Sequence, residues 1–363
     1  MTNKLKSKLE KVTNPHSGVI TSSLWKGPYK ACSESGVTFS MLSRFLICRE
    51  RFRIMYVEGL GKEERFDGKI EFGQMWHLCE EAYKRKEDHI QLVRKYVTNL
   101  KKKYQLYHEA IEDEYDKCIV TFPLYVKYWE HHPDEKNMLN LFQEKIFGYE
   151  YTLPISGRKI YLRGKIDSGD KIQGDGIYVA DNKSKGNINL IEIQNQLNFD
   201  LQMMMYLLVL KLDRTIIKDP KQIKGIRYNI VRHSLHKHTK KDGTREKFRD
   251  RLKGIIEEDL ASEPDNWFSR FQALINEHDM SEFLTTSFNP ILEQLCDWWD
   301  CLNGSRVNEN AHKYQNFRYP YGIYHVLNQG GSGELDLYLN KKSKVGLIKR
   351  KLFRELNADG YSE

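Results

Sequence analysis

The chain has 363 residues, 40% of them apolar, a mean hydropathy of −0.66 and a formal charge of +8 from 58 Lys and Arg against 50 Asp and Glu. That length supports a sizeable core and about two domains. No run of about 18 apolar residues is present and the Lys-rich start lacks a signal-peptide core, so a cytoplasmic protein is expected rather than a membrane or secreted one. The modest positive excess is compatible with a polyanionic partner without establishing one.

Residues 1–36, rich in Ser, Thr, Lys and Gly, read as an extended arm anchored through Trp25 and Tyr29. Helices are expected over 41–56 and 73–84, followed by charge-rich helices in the QLVRKYVTNLKKKYQLYHEAIEDEYDKC stretch, whose polar faces suit solvent. His77, taken alone, is an ordinary partly buried helix histidine. The stretch 145–155 (KIFGYEYTLPI) reads as the first strand of a sheet.

The chemistry concentrates in the next segment. Residues 158–185 alternate apolar and polar side chains on both sides of a Gly/Asp-rich tip at 169–176, a hairpin pattern. Gly174 is the midpoint between Asp167 and Asp181, so antiparallel pairing sets these two acids close together, where they repel unless a cation lies between them. Asp181 and Lys183, two apart on a strand, share a face. Two acids and one ammonium are the minimum for metal-assisted phosphodiester hydrolysis: the acids hold Mg2+ or Mn2+, and the lysine steadies the attacking water or the developing oxyanion. An ordinary surface hairpin carries the same three residue types, since a D-x-K triplet is weak evidence.

FDLQMMMYLLVLKL (199–212) then reads as an apolar helix, expected over 197–210 with Asn198 or Asp200 as N-cap. Gln202 and Tyr206 stack on one face of it. An unpaired buried amide costs about 1 to 3 kcal/mol, so Gln202 is expected to orient something. A further strand is expected over 225–234. Basic residues follow, among them Arg232, Lys237, Lys240, Lys241 and Arg245, and they suit a nucleic-acid groove or a solvated loop.

These blocks together resemble the RecB-like branch of the PD-(D/E)XK nucleases: GKIDxxD, ADNKSKG and DLQMMMY match its G-x-x-D, (D/E)-x-K and Q-x-x-x-Y motifs. VTFSMLSRFLICRERFRIMYVEG and FGQMWHLCEEAY are similar to the family's opening helix and its G-x-x-x-H helix, and residues 226–271 look like a segment of phage-type members. The resemblance implies a mixed α/β (α+β) fold with the αβββαβ core order, a helical insertion before the core and a helical C-terminal region. It implies metal ligation by His77, Asp167, Asp181 and the main-chain carbonyl of Asn182, with Lys183 catalytic and Gln202 and Tyr206 positioning the phosphate. The parts expected are an arm at 1–36, a nuclease domain at 37–330 (helical 37–144, catalytic core 145–235, helical and aromatic 236–330) and a basic tail at 331–363.

The implied activity is a Mg2+- or Mn2+-dependent deoxyribonuclease, an exonuclease serving recombination, repair or phage genome processing in a bacterial or phage-infected cell. Its partners would be single-stranded DNA or a duplex end, with a helicase or recombinase as a possible companion. A catalytically silent nucleic-acid-binding scaffold and a CRISPR-associated trimming nuclease are the alternatives. Some relatives hold an iron-sulfur cluster, with Cys48 matching its first ligand. In NENAHKYQNFRYPYGIYHVL (308–327), however, Ala311 or His312, Tyr319 and His325 stand where cysteines are expected, so the cluster is expected to be absent. A variant site from Cys296, Cys301, His312 and His325 is the other possibility. Trp298 and Trp299 suit core packing or stacking on bases.

Overall fold

The computed structural model describes residues 24–62, 65–197, 199–303, 347–349, 351–353 and 356. In chain order its main elements are α1 (Phe39–Ile47), β1 (Leu60–Lys62), α2 (Gly68–Arg85), α3 (His89–Lys103), α4 (His108–Glu130), β2 (Met138–Thr152), β3 (Lys159–Ile172) and β4 (Gly176–Lys185). There follow α5 (Leu190–Leu197), α6 (Leu201–Leu212), β5 (Ile223–Arg232), α7 (Arg245–Ser262), β6 (Phe268–Leu274), α8 (Glu277–Phe283), α9 (Asn289–Leu302) and β7 (Leu347–Lys349).

The alternating segment folds as the expected hairpin. β3 and β4 pair antiparallel from Ile172–Gly176 to Ser168–Ala180, which confines the tip to residues 173–175. Gly174 turns there with φ +82, a left-handed backbone that only glycine adopts without strain. The apolar crossover α5–α6 returns the chain so that β5 lies parallel to β4. The sheet order is β2-β3-β4-β5-β6, a mixed sheet in which the expected αβββαβ order is embedded.

Several boundaries differ from the sequence reading. The first strand begins at Met138 rather than at 145. The helix expected over 41–56 stops at Cys48, whose extended backbone (φ −160, ψ 111) caps α1, and continues as separate turns at Arg49–Phe52 and Arg53–Val57. The helix expected over 197–210 runs from Leu201 to Leu212: a separate helix, α5, ends at Leu197, and α6 begins after Asp200, whose side chain accepts the Met203 N–H at 2.9 Å. Asn198 lies outside the described residues. In the region expected to be helical, Phe268–Leu274 forms β6, because β5 offers it an open edge and pairs with it antiparallel. The short β1–β7 pair was likewise not foreseen.

The described residues divide into two units, one drawn from 24–62, 148–164 and 282–356, the other from 65–147 and 165–281. In the second unit Phe72, Met75, Trp76 and Cys79 recur at helical spacing on α2 and bury against Cys118, Phe122 and Tyr125 of α4. Phe248 and Leu252 of α7 and Phe268 of β6 complete that core. Each large side chain buried there stabilises the fold by about 1.5 to 3 kcal/mol. The first unit is built on aromatics. Trp25 donates its indole N–H to the Gly36 carbonyl at 2.7 Å and meets Trp299 edge-on at 4.7 Å. Trp298 packs on Phe45 and Phe52, so both adjacent tryptophans are core residues.

Candidate metal centre

The hairpin register brings the two acids together. The pairing that ends at Ser168–Ala180 sets Asp167 opposite Asp181 one step further on. There the ladder gives way to a side-chain bond: Asp167 Oδ2 accepts the Asn182 main-chain N–H at 2.9 Å. The Asn182 amide oxygen accepts from Asn229 on β5 at 3.0 Å, holding β4 to β5 at the same point.

From α2, His77 Nδ1 comes within 3.6 Å of Asp167 Oδ2 and 3.6 Å of a Glu144 oxygen. His77, Glu144 and Asp167 each offer a ligand atom within 4.8 Å of the others. Glu144 was missed by the sequence reading, which began the strand one residue later. The available signal was a lone acid in NLFQEKIF. Glu144 has φ +48, a left-handed backbone that non-glycine residues adopt at a cost of roughly 1 to 3 kcal/mol. This local break in β2 brings its carboxylate to the hairpin, where Lys165 also pairs with it.

The electrostatics fit a cation. Burial raises the Asp167 carboxyl; His77 pulls it back, while Asp181 and Glu144 push it up, to about 7 in all. For His77, burial opposes the charge, but Asp167 and Glu144 outweigh it and raise the ring to about 9. Burial works against the Glu144 charge as well, yet His77 and Lys165 hold it below the usual carboxylate range. The cluster thus retains protons that a divalent cation could replace. One imidazole with carboxylate oxygens suits Mn2+ and is compatible with Mg2+.

Asp181 stands outside that trio and is engaged from its own strand. Lys183 Nζ lies 2.7 Å from Asp181 Oδ2 and donates to Gln202 Oε1 at 3.2 Å. Gln202 Nε2 in turn donates to Tyr206 Oη at 3.2 Å and approaches Asp181 Oδ1 at 3.5 Å. Tyr206 stands behind Gln202 against Phe147, ring centres 5.7 Å apart. Burial opposes the Lys183 charge, but Asp181 prevails and raises its pKa, so the ammonium stays charged. A cavity of about 330 Å³ is lined by His77, Asp167, Asp181, Asn182, Lys183 and Gln202, with Lys69 and Gly73 on its α2 side.

The basic segment after β5 is partly neutralised within the chain. Arg245 pairs with Asp113 at 2.6 Å, Glu109 at 2.7 Å and Asp116 at 3.1 Å, and Arg249 also pairs with Asp116, so these contacts tie α7 to α4. The Arg232 guanidinium lies 5.3 Å from the Trp267 ring centre. Lys237, Lys240 and Lys241 are exposed. Cys48 and Cys296 are buried and Cys301 is partly so. His312, His325 and the rest of 308–327 lie outside the described residues. Among the described residues no helix is long and apolar enough to cross a membrane.

No curated protein matches the chain. A family model for the PD-(D/E)XK nuclease superfamily matches residues 37–301, a span that includes α2, the hairpin and α6 and so every residue of the centre just described. The chain belongs to the PD-(D/E)XK nuclease superfamily, whose members are metal-dependent nucleases.

Proposed function

We propose that the protein is a Mg2+- or Mn2+-dependent deoxyribonuclease that degrades DNA from its ends, in recombination, repair or phage genome processing. The observation that carries this reading is the His77–Glu144–Asp167 donor set, with the charged Lys183 lining the same cavity. His77, Glu144 and Asp167 would hold the cation, with Asp181 and the Asn182 carbonyl available on the adjoining strand. When bound, the cation supplies Lewis-acid polarisation of the phosphate and a more acidic attacking water.

The remaining roles fall to the chain itself. Lys183 keeps its proton, so it serves as a fixed positive donor for charge developing on the phosphoryl oxygens rather than as a base. Gln202, steadied by Tyr206, accepts from that ammonium and sets its direction. Hydrolysis joins the water oxygen to phosphorus and releases the 3′-oxygen, leaving a 5′-phosphate. The helices before the core and the exposed Lys237, Lys240 and Lys241 after β5 suit a threaded strand, which supports the end-dependent reading. A silent scaffold would have little use for a charged Lys183 held between Asp181 and Gln202 in the lining of the cavity.

The test is degradation of linear and circular DNA of one sequence with Mn2+. Loss of linear DNA with circles spared is the expected result. Cutting of circles at the same rate would overturn the end-dependent reading.

A further inference from the structure

A second cavity, of about 450 Å³, lies in the same unit as the metal centre, between β2, the β3–β4 hairpin and the segment after α6. Phe142, Ile177 and Ile217 give it apolar surface, and Lys145, Lys171 and Lys218 bring three ammonium groups to its lining. Among the described residues none of the three is ion-paired; Lys171 donates to the neutral Gln222 at 3.2 Å. The one carboxylate of the lining, Asp219, is occupied by its own turn. It accepts the Lys221 N–H at 3.0 Å and the Gln222 side chain at 3.3 Å. With Asp219 counted, these four side chains carry a net charge of +2; the three ammonium groups repel one another, and an anion between them relieves that repulsion.

The cavity also stands in a defined relation to the metal centre. Side chains alternate along a strand, so Asp167, Gly169 and Lys171 share one face with their cross-strand neighbours Val179 and Ile177. A Cβ on Gly169 would lie 2.3 Å from the Phe142 ring, so glycine is what lets that ring rest on the sheet. Lys171 follows Asp167 by four residues, about 13 Å along the strand.

We propose that this cavity is a second nucleotide site, holding a phosphate on Lys145, Lys171 and Lys218 and a base against Phe142 and Ile217. The nucleotide comes from the strand being cut or is a free mononucleotide; the first source rests on the nuclease reading, the second does not. Lysine as a phosphate partner and an apolar ring beneath a base are the two halves of sequence-independent strand binding.

The experiment compares the full-length wild type with a Lys145→Ala, Lys171→Ala, Lys218→Ala triple variant. Binding of a labelled oligothymidylate is followed by anisotropy in Ca2+, and binding of thymidine 5′-monophosphate by calorimetry. Hydrolysis of bis(p-nitrophenyl) phosphate in Mn2+ reports on the metal centre alone. If the strand is the source, the variant binds the oligothymidylate about tenfold more weakly. Its log–log salt dependence is shallower by about 0.7, as expected for one lost single-strand phosphate contact. If the free nucleotide is the source, only the monophosphate affinity falls. In both cases a triple Lys→Arg variant restores binding, and hydrolysis of the small diester is unchanged. Equal binding of both probes by wild type and alanine variant overturns the proposal. A wild type that fails to hydrolyse the small diester counts against the nuclease reading, while the two binding arms still decide the second site.

Discussion

Asp167 accepts the main-chain N–H of Asn182 at 2.9 Å, so one bond both ends the β3–β4 ladder and fixes the acid that faces His77. That acid is buried among other carboxylates. Burial, Asp181 and Glu144 raise its pKa to about 7 against the pull of His77, so its ionised form destabilises the cation-free fold above that pH. Asp167→Asn keeps an oxygen for the Asn182 N–H and removes the charge. The expected outcome is a melting temperature in chelator at pH 8 equal to or above that of the wild type. A clear drop would show that the carboxylate charge supports the fold.

Cation affinity should rise with pH, and the sign follows from two groups. His77 is raised from 6.5 to about 9, so its stabilising effect on the cation-free fold is full below 6.5 and lost as the pH rises through 9. Asp167, raised from 3.8 to about 7, favours the protonated fold in the same direction, and its contribution is lost through 7. A cation therefore displaces up to two protons below pH 7 and one between 7 and 9. Calorimetric titration with Mn2+ should show the apparent Kd falling about tenfold per pH unit between 7 and 9. A flat profile would place the cation on other ligands.

Lys183 carries its charge to the cavity without belonging to the donor trio. Lys183→Ala should reduce cleavage by about a hundredfold or more while leaving Mn2+ affinity within a few-fold of wild type. Equal losses in both measurements would instead make Lys183 a structural support for the acids.

The basic segment divides into two groups with different expected phenotypes. Arg245 is half-buried and pairs with Asp113 and Asp116, the latter fully buried, so Arg245→Ala should cost roughly 2 kcal/mol, read as a lower urea midpoint. Lys240 and Lys241 are exposed, so the double alanine variant should leave that midpoint unchanged and weaken DNA binding.

How much of this was legible in the sequence depended on how local the signal was. Alternation and a glycine midpoint sufficed to set Asp167 opposite Asp181, because register in a tight hairpin is a local property. Glu144 was not legible. Its role depends on a single left-handed residue that redirects an edge strand, and no composition or period marks such a break. The internal pairing of Arg245 was hidden for a different reason: its partners on α4 lie more than a hundred residues earlier, and a run of basic residues reads the same whether solvated or neutralised. β6 was hidden too, since seven residues beside a helix form a strand only where a neighbouring strand offers an edge.

The most direct single measurement is the time course of end-labelled linear DNA cleavage at saturating Mn2+, for wild type and Asp167→Asn, each with a chelator control. The expected result is cleavage by the wild type that stops in chelator and is at least a thousandfold slower, by order of magnitude, in Asp167→Asn, with DNA still bound. Cleavage by the variant at the wild-type rate, or by the wild type in chelator, would contradict a cation-dependent hydrolytic centre at His77, Glu144 and Asp167.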